Sequence, residues 1–173
     1  MSTIPYDISV RFVNNKIVTD DRRIGQRVGL YDNSNAFDWN ISRIFFSPTP
    51  QLMDVSPAFL HKTSYSQQGH APSGAFDVGQ WFRPSNPTFQ LWPDQSEFQG
   101  IKGEPHLYFN FPSENKIVFE QFRMTDKLTK IMDTCVHYKF YSPRKRLPFL
   151  YDMFSGRGFK EEILKEIQQN LYR

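Results

Sequence analysis

A mainly β fold is what this sequence predicts: an antiparallel sandwich or jelly-roll, cupin-like core with amphipathic helices at its C-terminal end. Three observations point there. Short runs of aromatic and β-branched residues, broken by Pro, Asn, Asp and Gly, fill the first 124 positions. After Thr125 the apolar spacing switches from a period of two to that of a helix. The 17 Phe, 8 Tyr and 3 Trp among 173 residues supply the bulk for a packed core, although only 39% of the chain is apolar. The length suits a single domain over 1–173, β-rich over 1–124 and helical over 125–173.

From Ile8 to Phe12 apolar residues alternate with Ser9 and Arg11, and Asn14-Asn15 turns the chain into Lys16 to Thr19, a strand, turn and strand. Arg27 to Tyr31, Ile41 to Ser47, Phe76 to Phe82 and Thr88 to Trp92 read as further strands. Ser47 to Pro57 and Thr63 to Ser73 read as loops. The plainest hairpin is His106 to Phe111 with Lys116 to Phe122, joined across Pro112-Ser113-Glu114-Asn115.

Thr125 then caps a helix with Asp126 in its first turn and Leu128, Ile131, Met132, Cys135 and Val136 on one face, to about Tyr138. A second helix starts near Pro148, carries Leu147, Leu150, Tyr151 and Phe154, and stops at Ser155-Gly156-Arg157-Gly158. The last runs from about Phe159 to Tyr172, apolar along Phe159, Ile163, Leu164, Ile167 and Leu171, with Glu161 and Lys165 one turn apart on the other side.

Several function classes lose ground on composition. A lone cysteine, Cys135, forms no internal disulfide and suits a reducing compartment. Met1 to Tyr6 lacks the features of a cleaved signal, and no stretch approaches the ~20 apolar residues of a membrane span. A cytoplasmic or virion location is therefore expected, with no membrane partner, and Asn40-Ile41-Ser42 is not expected to be glycosylated. The net charge of +3 is mild. Basic residues gather only at Arg22-Arg23 and at Lys139, Arg144, Lys145 and Arg146, where an anion or nucleic acid can be held, although short charge runs usually form a solvated face.

The most pointed chemical set is His70, Asp77 and His106, with Glu104 two residues before the second histidine. Two imidazoles and a carboxylate suit a metal with an open fourth position, and a neighbouring glutamate can take a proton from bound water. The run Gly69-His70-Ala71-Pro72-Ser73-Gly74-Ala75-Phe76-Asp77, followed by Glu104-Pro105-His106, resembles the motif of the D-alanyl-D-alanine carboxypeptidase and endolysin zinc peptidases over about forty residues. That resemblance implies zinc on the two histidines and Asp77, with Glu104 as base. It departs from the family at Ser73, where a glycine is usual, in the spacing of Glu104, and in lacking the family's helical N-terminal part. The same residues also read as His70 on a polar loop, Asp77 capping a strand and His106 starting one.

Phe76-Asp77-Val78-Gly79-Gln80-Trp81-Phe82-Arg83-Pro84, with Gly103 to Phe109, resembles uncharacterised proteins of phage and bacterial genomes, which implies a shared β fold and no assigned activity. Trp81, Phe82, Arg83 and Trp92 can form a stacking platform, or be ordinary core. Cys135, on an apolar helix face, is expected to be inert. Gly156 and Gly158 lack the preceding strand and the lysine of a phosphate loop.

The expectation is thus a non-enzymatic binding or assembly protein, a phage-type structural component acting through a protein partner or self-association and needing no cofactor. Its binding surface would be drawn from Trp81, Arg83, Trp92, Arg144, Lys145 and Arg146. The alternative is a metal-dependent hydrolase or cupin-like metal enzyme using zinc or iron on His70, Asp77 and His106. Nucleic-acid binding through Arg144 to Arg146 comes third.

Overall fold

A computed structural model describes residues 1–14, 16–26, 35–40, 43–141 and 144–172. Among them the fold is mainly β, with three antiparallel sheets followed by three helices. The strands are β1 (Ser2–Thr3), β2 (Ile8–Val13), β3 (Lys16–Val18), β4 (Ile24–Gln26), β5 (Ala36–Trp39), β6 (Leu52–Pro57), β7 (Gly69–His70), β8 (Gly74–Asp77), β9 (Thr88–Leu91), β10 (Glu97–Gly100) and β11 (Pro105–Asn110). The helices are α1 (Asp126–Tyr141), α2 (Leu147–Gly156) and α3 (Phe159–Gln169). The sheet orders are β1-β11-β6-β8, β10-β2-β3 and β4-β5-β9-β7.

The chain divides into two compact units, each assembled from three separate stretches. The first comprises Met1–Arg43, Asp54–Ala75 and Ser85–Asn110. Its opening hairpin forms as the alternation requires: Ile8, Val10 and Phe12 are buried while Ser9 and Arg11 face out. Asn14 turns the chain at φ 51°, a left-handed conformation that asparagine tolerates. β10 adds to the other edge of β2, with Phe98 opposite Val10. Facing this sheet are Phe37 and Trp39 of β5 and Phe89 of β9, and the two layers meet ring to ring. Phe37 and Phe98 lie 5.0 Å apart, and Phe89 and Phe98 4.5 Å apart. That is sandwich packing, filled by aromatic side chains.

The second unit comprises Ile44–Met53, Phe76–Pro84 and Phe111–Arg173. Thr125 caps α1, its Oγ1 accepting from the Leu128 amide at 3.3 Å. Leu128, Ile131 and Cys135 of α1, Leu150 and Phe154 of α2 and Ile163 of α3 close on Trp81 and Phe82 in a second core. Gly158, at φ 68°, makes the left-handed break between α2 and α3. Lys127 of α1 pairs with Glu162 of α3 at 2.9 Å.

Several expected elements differ. The hairpin between β11 and Lys116 to Phe122 does not form: β6 pairs with β11 from Leu107 to Asn110, β1 takes its other edge at Pro105 and Leu107, and Lys116 to Phe122 belongs to no strand. Within 116–122 the recorded pairing is an isolated bridge from Phe122 to Leu171. Ser47 to Pro57 is not all loop, since β6 occupies its second half as the partner of β11. The strand expected from Phe76 to Phe82 ends at Asp77, whose carboxylate accepts from the Gly79 amide at 2.8 Å and turns the chain. Gly79 is needed there, for a Cβ would lie 2.1 Å from the Thr49 carbonyl oxygen. Residues 43–47 carry no strand. Arg27 to Tyr31, Ile41 and Ser42 lie outside the described residues.

Candidate functional site

The residues singled out for metal chemistry are each engaged by their own surroundings. His106, in the central strand β11, is buried between the rings of Trp39 and Tyr65, whose centroids lie 5.1 and 6.0 Å away. Neither ring nitrogen has a hydrogen-bond partner. Burial, and secondarily the positive charge of Arg43, pushes the imidazole down to about 4, so it stays neutral at ordinary pH. His70 is exposed on β7 and stacks on Trp92 at 4.8 Å. Asp77, in the second unit, accepts from the amides of Gln51 and Gly79 and from the Gln80 side chain, so its oxygens serve a turn. Glu104 ties down a loop: its carboxylate accepts from the Ser64 amide at 2.9 Å, the Ser64 hydroxyl and the Ile101 amide. Among the described residues no group of three or more His, Cys, Asp or Glu side chains is arranged to hold a metal ion. The surroundings of these four side chains do not fit the zinc site that the peptidase resemblance implies.

The aromatic platform is also divided. Trp81 and Phe82 are buried in the second core against Phe154 and Phe46, where they present no surface. Arg83 lays its guanidinium over Phe76 at 4.7 Å. Trp92 is partly exposed in the first unit. Arg144, Lys145 and Arg146 are exposed ahead of α2, with the Lys145 ammonium over Phe149 at 4.6 Å. Arg23 is paired with Asp21 at 2.8 Å and stacked on Tyr6 at 3.5 Å. Cys135 is buried, and its thiol is pushed up to about 12 by that burial, which keeps it protonated and unreactive.

What the sequence reading missed is the large apolar surface left in water. In the first unit Phe59 and Leu60 are 72% and 78% exposed, beside Tyr108, whose hydroxyl lies 2.6 Å from His61 Nδ1. In the second unit Val118 and Phe119 are 70% and 64% exposed. Phe119 lies against Phe45 and Phe111 at 6.2 and 5.4 Å, so one side of its ring is packed and the rest meets solvent. Beside it runs a groove of about 500 Å³ lined by Phe119, Glu120, Gln121, Gln168, Gln169, Leu171 and Tyr172. The signal was present as the strand-like alternation of Lys116 to Phe122, read as one half of a hairpin. No family model, curated protein or solved structure matches this chain.

Proposed function

We propose that this protein works by holding another protein, as a binding or assembly component, through apolar side chains kept at its surface. The observation that carries this reading is the exposure of Val118 and Phe119 beside the groove at Leu171 and Tyr172. Large apolar groups left in water beside polar neighbours such as Glu120 and Gln121 suit a protein contact, whose centre is apolar and whose rim is polar. Phe59 and Leu60 offer the same character on the first unit. The side chains that would serve catalysis are instead tied into turns, loops and core, as His106, Asp77 and Glu104 illustrate.

Site-specific photo-cross-linking of the full chain in cells tests the reading. A photoreactive residue at Phe59 or Phe119 is expected to trap an adduct of reproducible mass, and one at the exposed polar Glu114 is expected to trap none. No adduct at either apolar position would overturn the reading. If, in addition, purified protein carried about one metal ion per chain and lost it on His70→Ala with His106→Ala, the metal-dependent hydrolase would replace it.

A further inference from the structure

The run from Lys116 to Glu120 has the composition of a strand and no strand beside it. It reads Lys-Ile-Val-Phe-Glu, rich in the β-branched and aromatic residues that pleated pairing favours. It belongs to no helix or strand, and its φ angles are all negative, as an extended conformation requires. Among the described residues its backbone amides and carbonyls take no hydrogen bond, since the neighbouring contacts begin only at Gln121, whose carbonyl accepts from the Tyr172 amide. A free row of backbone donors and acceptors carrying apolar side chains is a template for strand addition.

The sequence of the run matches itself. In an antiparallel pair centred on Val118, Lys116 of one copy stands opposite Glu120 of the other, and the reverse pair forms symmetrically. Ile117 then faces Phe119 twice, and Val118 meets Val118. Both charges are exposed, and among the described residues neither has an ion-pair partner. Opposite charges directly across an antiparallel pair stabilise it and like charges destabilise it, so this register is selected by charge as well as by apolar contact. An isologous contact of this kind closes on two copies.

We infer that a second copy of this chain is the partner, added strand to strand along Lys116 to Glu120. The inference rests on the binding reading above and names its occupant. Sedimentation velocity over a concentration series, on wild type and on Lys116→Glu, Glu120→Lys and the double exchange, tests it. Wild type is expected to dimerise. Each single reversal creates two like-charge pairs and is expected to weaken dimerisation about tenfold or more, whereas the double exchange restores it. Val118→Pro removes a backbone donor at the centre of the pair and is expected to leave single chains. All four changes lie on exposed positions outside the helices and strands, so at dilutions where wild type is itself single-chain the melting curves are expected to match.

Association that ignores the charge reversals would overturn self-pairing while leaving the binding reading in place through another face. A wild type that stays single at every concentration would also overturn it, and the cross-links at Phe59 and Phe119 would then decide the binding reading separately.

Discussion

His106 shows how much a single side chain can depend on where its strand lies. In the sequence it stands beside a proline and near a glutamate, as in the peptidase motif it resembles. In the fold it sits in the middle strand of a sheet with aromatic rings against it and no partner for either nitrogen. Its imidazole is held near 4, below the ordinary value of 6.5, so between those values the unfolded chain binds a proton that the folded chain does not. Stability from this group is full above pH 6.5 and is lost as the pH falls toward 4, by about 3 kcal/mol in total. Urea unfolding near each end of that window is expected to show the loss in wild type and a smaller one in His106→Leu. Equal losses in the two would mean that His106 protonates freely in the folded state.

At the scale of elements, legibility followed the range of the interactions. The β2–β3 hairpin and all three helices were readable because turn chemistry and helical periodicity are local. Thr125 is the clearest case, with its side chain on the Leu128 amide, and Thr125→Ala is expected to cost about 1 kcal/mol in thermal or denaturant unfolding. An unchanged midpoint would mean that packing alone holds the first turn of α1. Strand partners were not readable in the same way. Leu107 and Phe109 alternate with polar neighbours as an edge hairpin would, yet β11 takes the distant β6 along Leu107 to Asn110 and β1 at Pro105 and Leu107, and the run that looked like its partner is left alone. Alternation marks a strand's faces and says nothing about which edge will be taken. β6 was missed for a related reason, since Leu52–Pro57 has two prolines close by and earns its place through β11.

For the whole molecule, each compact unit is gathered from three stretches that are distant in sequence, and two separate cores result. Nothing local in the chain marks such an arrangement, because it depends on long-range pairing such as Phe98 with Val10 and on rings meeting across layers. The candidate site was half legible. The residue types of the run 116–120 were recognised as strand-forming, but that the run stands outside every sheet emerged only from the fold. The Trp81 and Phe82 pair shows the opposite case, where an apparent binding platform is core.

The most direct measurement is hydrogen exchange of the full chain at low and high protein concentration, followed at the amides of 116–120. These amides have no hydrogen-bond partner within the described residues, so they are expected to exchange freely in dilute chain, and the alternate ones that face the partner strand, at 116, 118 and 120, are expected to slow as copies pair, while core amides stay unchanged. Rapid exchange at 116–120 under every condition would contradict their role as the contact surface.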